Sequence, residues 1–183
     1  MLKFVAGILA LFPFSNRSRR KRRMDVISFW HGLSVRRRAK RVGTGLRCHA
    51  PVKVSRKTVI GEHVHFNGAH VFGTGNVTFG KWVHSGEGLR IFTRNHNYDK
   101  GSAIPYDDTF VEKDVAIGDF AWIGAYVILL PGTTIGEGAV IQAGSVVHGE
   151  IPPMAIAGGN PAKVFAWRDR EHFARLKAEG RFH

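Results

Sequence analysis

The sequence predicts an all-β chain wound as a parallel β-helix, on three observations. An apolar residue returns every sixth position through Val111, Ile117, Ile123, Leu129, Ile135, Ile141 and Val147. A small or β-branched residue holds a second fixed register at Val115, Ala121, Val127, Thr133, Ala139 and Ser145. Gly118, Gly124, Gly132, Gly136, Gly138 and Gly144 fall at or near the intervening bends, and Pro131-Gly132 is a turn signal. Neither a helix nor a flat strand has a six-residue period. Three short strands per turn do, with the first residue of each hexad pointing inward and stacked coils burying the column. A β-sandwich would show period-two alternation and turns every eight to twelve residues, and this segment shows neither.

Taken in chain order, residues 1–49 form a basic, partly apolar arm. Its segment Met1–Phe14 is apolar but short, and a helix needs roughly 20 residues to span a bilayer. A signal peptide carries its positive charge before the apolar run, whereas Arg17, Arg19, Arg20, Lys21, Arg22 and Arg23 follow it, so export is discounted. The net charge of +13 is uneven: residues 1–57 hold sixteen of the 27 Lys and Arg and one acid, Asp25, a net +15 that leaves −2 for the rest. A second cluster, Arg36, Arg37, Arg38, Lys40 and Arg41, follows Trp30. Two readings of the arm stand side by side: a solvated segment, or a contact of residues 1–41 with the anionic inner face of the cytoplasmic membrane. Nucleic acid is disfavoured, because no folded recognition module accompanies the charge. The single cysteine, Cys48, excludes an intramolecular disulfide and a multi-cysteine metal site, and fits a reducing cytoplasm.

Residues 50–157 are assigned to the β-helix. The period is looser at first, in Ile60-Gly61, Phe66, Phe72-Gly73, Phe79-Gly80, Val83 and Ile91. It is lost from Asn95 to Asp108, a polar stretch with Gly and Pro that the coil must eject as a loop, and loops on rigid scaffolds carry chemistry. His96 opens that loop, and histidine is the side chain whose charge changes near neutral pH. It is one of ten histidines. His63, His65, His70 and His84 lie within coils as surface or subunit-contact residues, without zinc spacing, and no metal site is expected. Trp122 precedes the inward Ile123 and so faces outward, available for a ligand or a subunit contact.

Residues 158–183 follow as a turn and a short helix. Gly158-Gly159-Asn160-Pro161-Ala162-Lys163 reads either as a phosphate clamp or as a simple terminal turn. Trp167 to Gly180 reads as a helix bracing the prism, with an apolar stripe of Trp167, Phe173 and Leu176.

The chain resembles the hexapeptide-repeat acetyltransferases, in the branch of maltose, galactoside and colanic-acid-type O-acetyltransferases. The matching text is Ile117-Gly118-Asp119 through Trp122-Ile123-Gly124, Ile128 to Gly136, Val140 to Val147, and Gly159-Asn160-Pro161-Ala162-Lys163. The resemblance implies a left-handed β-helix, an exception to right-handed crossovers, assembled as a homotrimer with active sites between subunits. It implies His96 as the catalytic base, acetyl-CoA as co-substrate and no tightly bound cofactor. It implies donor contacts at Trp122, Gly124, Ala125, Ala143, Gly144, Gly159, Pro161, Lys163 and Arg168. Where many relatives carry Thr-Lys, this chain has His148-Gly149, which shifts phosphate recognition toward Lys163 and Arg168.

For the acceptor, Asn95, Asn97, Tyr98, Asp99 and Asp107 suit a saccharide, such as a polysaccharide or envelope-glycan precursor. Acetylation of an antibiotic or an amino-sugar nucleotide, a non-catalytic trimeric scaffold, and a carbonic anhydrase of related architecture remain as alternative readings.

Overall fold

The structure, a computed structural model, describes residues 16–183, with side chains described from Arg22 onward. The apolar segment Met1–Phe14 and the side chains of Arg17, Arg19, Arg20 and Lys21 lie outside the described residues.

Short parallel strands stack into a three-sided coil. One face holds β1 (Arg41–Val42), β4 (Thr58–Ile60), β6 (Val77–Phe79), β10 (Val115–Ile117), β13 (Thr134–Ile135) and β16 (Glu150–Ile151). The other two faces belong to one bent sheet, because β5 (His65–Phe72) and β7 (His84–Phe92) run around a corner. Their first halves stack with β2 (Arg47–Cys48), β11 (Trp122–Ile123), β14 (Val140–Ile141) and β17 (Ala155–Gly159), forming the second face. Their second halves stack with β3 (Val52–Lys53), β12 (Ile128–Leu129) and β15 (Val146–Val147), forming the third. Partners such as Ile117 and Ile135, or Ile123 and Ile141, are eighteen residues apart, which is three hexads per turn.

The interior is the column that the sequence period predicts. Ile117, Ile123, Leu129, Ile135, Ile141 and Val147 are buried, and so is the second register from Val115 to Ser145. Each large aliphatic chain so buried contributes about 1.5–3 kcal/mol. Buried Thr133 donates its hydroxyl to the carbonyls of Leu130 (2.7 Å) and Val147 (3.0 Å), which satisfies the one polar group such a position brings inside. The corners need close approach: a Cβ on Gly124 would lie 2.5 Å from the backbone nitrogen of Ala143 in the next coil.

Two positions depart from the expected column. Val111 is exposed, because it belongs to β9 (Phe110–Glu112), which leaves the coil and pairs antiparallel with β8 (Arg94–His96). Phe72 is only half-buried, because the β5–β7 register shifts at Phe66/Asn67; beyond that shift Val71 points inward and Phe72 stacks outward on Phe92 at 4.6 Å.

The coil also begins earlier than residue 50, at β1. Before it, residues expected to form an arm fold as α1 (Asn16–Arg38). Met24, Ile27, Ser28, His31 and Val35 recur at helical spacing, and this stripe faces the first coil. Val35 is fully buried, and the Ser28 hydroxyl accepts from the Cys48 amide at 2.9 Å. Arg36, Arg37 and Arg38 close the last turn, where cations oppose the helix dipole. The helix thus covers the open end of the stack, as the terminal units of repeat folds must. Burial beneath it pushes the Cys48 thiol up to about 12, leaving it an unreactive core group.

At the other end β18 (Ala162–Trp167) returns antiparallel on β17, and α2 spans Arg170–Ala178. The expected helix therefore starts later than Trp167, which ends a strand. Asp169 caps the helix instead, accepting from the His172 amide at 2.9 Å. Phe173 packs edge-on against Phe120 at 5.9 Å, and Lys177 pairs with Glu137, so the helix braces the coil.

Candidate active site

The ejected loop is the tip of the β8–β9 hairpin, and His96 ends its first strand. The ring is stacked on Tyr106 with centroids 3.7 Å apart and lies tilted 4.7 Å from Phe110, so two aromatic neighbours hold its plane. Its Nδ1 is buried without a hydrogen-bond partner. A cavity of about 320 Å³ opens beside it, lined by Asn95, Asn97, Tyr98 and Asp99 as expected, and also by Lys100, Lys113 and His148.

Asp107 is not part of that lining. Its carboxylate accepts from the Ser102 amide and hydroxyl (2.7 and 3.1 Å) and from the Thr109 amide and hydroxyl (2.9 and 2.5 Å). Those bonds, the Thr109 hydroxyl foremost, hold it well below the usual carboxylate range. Asp107 thus staples the loop. Asn97 serves in part the same way, donating to the Thr109 hydroxyl at 3.1 Å while still lining the cavity.

The residues expected to meet the donor lie on other corners. Gly124, Ala125, Ala143 and Gly144 stack at the corner between the second and third faces, where the Gly144 amide donates to Ala125 at 2.8 Å. Gly159 joins them through its amide, 3.2 Å from the Ser145 hydroxyl. Pro161 lies in the β17–β18 turn, and Lys163 is exposed opposite Gly158. The amides of Ala125 and Ala143 have no partner among the described residues.

Trp122 is 58% exposed and lines a second cavity, of about 310 Å³, at the corner between the first and second faces. Arg168 lies there too, donating to the Gly138 carbonyl at 3.2 Å and covering Phe173, while Lys163 is not part of that lining.

The sequence reading missed two groups. One is the aromatic wall around Trp122, built by Trp82, Phe120 and Phe182, with Trp82 and Phe120 both at positive φ on the same corner. The signal was present: each follows a Gly-Lys or Gly-Asp pair at the start of its coil. The other is the basic set Lys100, Lys113 and His148 near His96, which come from three separate segments. Below Trp122 on the same outward row, His84 and His65 stack at 4.2 Å. Burial, then the charge of its neighbour, lowers His65 to about 4. Among the described residues no group of three or more His, Cys, Asp and Glu side chains gathers to hold a metal.

The bacterial transferase hexapeptide family (six repeats) matches residues 114–149. A provisionally named acetyltransferase of Staphylococcus aureus is 46% identical over 76 residues, which is 42% of this chain and 33% of that protein. The match thus spans about a third of that relative's length. A hexapeptide-repeat-containing acetyltransferase of Vibrio cholerae superposes with a TM-score of 0.66 at 25% identity, over 92% of both chains, and has also been solved with acetyl coenzyme A. A maltose O-acetyltransferase of Clostridium difficile superposes with a TM-score of 0.58 at 25% identity, over 92% of this chain and 85% of that one. The coil of this chain is the left-handed β-helix that such proteins share.

Proposed function

We propose that this chain, a hexapeptide-repeat β-helix protein, transfers acetyl from acetyl-CoA to a saccharide hydroxyl with His96 as general base. The observation that carries this reading is the pairing of a ring-clamped histidine at a cavity mouth with a corner of small residues at which the Ala125 and Ala143 amides are unpaired. The imidazole takes the hydroxyl proton as the oxygen attacks the thioester carbonyl. Corner amides at Ala125 and Ala143 supply donors to the donor chain and the developing oxyanion. The C–O bond forms, the C–S bond breaks, and the imidazolium returns its proton to the departing CoA thiolate. Holding both substrates in one cleft supplies much of the rate.

His96 and the Gly124 corner occupy different edges of one prism, so a single protomer does not bring them together. The reading therefore includes a homotrimer in which each site joins the histidine of one protomer to the glycine corner of the next. The test needs no knowledge of the sugar. Acetyl-CoA at a hundred times its Kd stabilises the native state by about 2.7 kcal/mol, so it raises Tm, and more than dephospho-CoA does, while saccharides accelerate release of free CoA thiol. No Tm shift and no thiol release would leave the scaffold reading in its place.

The arm carries the second part of the proposal, a contact with the inner face of the cytoplasmic membrane. No helix among the described residues is long and apolar enough to cross a membrane. Phe29 and Trp30 are exposed on α1, off the stripe that packs on the coil and between its two arginine clusters. Aromatic rings and cations on one helix suit an anionic bilayer surface. Vesicles rich in anionic lipid should co-sediment the full chain, and Phe29→Ser with Trp30→Ser should weaken that binding. Failure of the full chain to co-sediment would argue for a solvated helix, and sedimentation unchanged by the double substitution would remove Phe29 and Trp30 from the contact.

A further inference from the structure

We infer that the acceptor is anionic: a saccharide bearing a carboxylate or a phosphate near the hydroxyl that is acetylated. This rests on the transferase reading for its reaction and on the His96 cavity for its chemistry.

Across the coils from residue 58 to 162 acids outnumber bases, ten to five. Two of those five bases, Lys100 and Lys113, nevertheless line the one cavity that His96 opens into. Neither ammonium has a carboxylate within 4 Å, since the ion pairs among the described residues are Lys81–Asp119, Lys177–Glu137 and Arg181–Glu179. The acids close by are already engaged: Asp107 in the loop staple, Glu112 with the Thr74 hydroxyl, and Asp114 with Asn76 at 2.8 and 2.9 Å. Only Asp99 contributes a carboxylate to the lining.

The placement of Lys113 is built into the coil. Its stem lies beside Gly132, where a Cβ would come within 3.1 Å of Lys113 Cδ. His148 adds an imidazole to the same lining from a later coil. Two unpaired ammonium groups and two imidazoles around a cavity of about 320 Å³ form a site for one anionic group held close to the catalytic nitrogen. A neutral glycoside leaves both lysines without a counter-charge.

The test compares three acceptors on the intact protein: a hexoside, the corresponding hexuronide and the hexoside 6-phosphate. Both kcat/KM for thiol release and direct binding by calorimetry are read, for wild type and for Lys100→Ala with Lys113→Ala. The expected result is that at least one anionic acceptor exceeds the neutral one by about 10-fold or more, with the preference falling as salt rises and collapsing in the double variant. Preference for the hexuronide identifies a carboxylate, and preference for the 6-phosphate a phosphoryl group. Equal use of all three, or a double variant that keeps the preference, overturns the inference and leaves the transferase reading standing. Anionic binding that the double variant abolishes, without thiol release from any acceptor, keeps an anion site at the cavity but overturns its occupant as an acetyl acceptor, together with the transferase. Absence of both overturns both.

Discussion

Replacing His96 with Ala lowers kcat by at least about 100-fold and leaves acetyl-CoA binding close to wild type, because general-base catalysis contributes about 10²–10⁴-fold. The geometry makes the two effects separable. His96 sits at the end of β8, stacked on Tyr106 and beside Phe110, and it stands on a corner that the small residues at 124, 125 and 143 do not share. Removing its ring empties space over Tyr106 but takes no interior contact from the coil, whose core is the Ile and Leu column. The variant should therefore melt near the wild-type temperature, and acetyl-CoA should still raise that temperature. His96→Gln serves as a control for shape, since it fills much of the space and accepts no proton at neutral pH. A His96→Ala protein with more than about a tenth of wild-type kcat would remove the imidazole from the reaction, given the magnitude expected of such a base.

How much of this was legible in the sequence varies along the chain for physical reasons. From Ile117 to Val147 every coil is one length, so the inward residue returns on a fixed count and the core can be read directly. At β5 and β7 the strands turn a corner without a break and slip by one residue, which is why Phe72 looks like core and lies outside. At Val111 the six-residue count continues by coincidence through a hairpin strand that has already left the stack.

The helix α1 was hidden by composition. Arginine has good helix propensity, but the many arginines read as a solvated arm and drew attention from the stripe of Met24, Ile27, His31 and Val35. The corners show a subtler limit. Glycine was expected at tight bends, yet Trp82, Phe120 and Tyr126 adopt φ of 57–58°, at a cost of roughly 1–2 kcal/mol each. Stacking offsets that cost: Trp82 lies on His63 at 4.2 Å, and Phe120 packs on Phe173. Only the three-dimensional neighbours make such residues tolerable, so the preceding Gly-Lys and Gly-Asp pairs mark the corners without announcing the positive φ.

For the site, His96 and the cavity-lining Asn95, Asn97, Tyr98 and Asp99 were legible because they are contiguous. Lys113 and His148 were not, since they reach the cavity from separate coils. Asp107 was grouped with Asn95, Asn97, Tyr98 and Asp99, but the sequence does not reveal that Ser102 and Thr109 bond both its oxygens and that it lies outside the cavity lining.

Two inactive variants should restore one another if the site is shared between protomers. Ala143→Tyr places a ring at the exposed corner where the donor is proposed to lie, and it leaves His96 untouched. His96→Ala keeps that corner and loses the base. In a trimer whose sites each combine the histidine edge of one protomer with the glycine corner of the next, equal co-expression leaves both halves intact at about one site in four. Activity should therefore rise from about 1% or less for either variant alone to about 25% of wild type for the mixture, once mass spectrometry of the intact assembly verifies mixed trimers. Mixed trimers without recovery would mean that both halves must come from one chain. That outcome conflicts with the separation of the β8–β9 hairpin from the Gly124 corner around the prism, and it would require the hairpin to swing across a whole face. Recovery would instead mean that the imidazole of one protomer and the Ala143 corner of the next serve the same site.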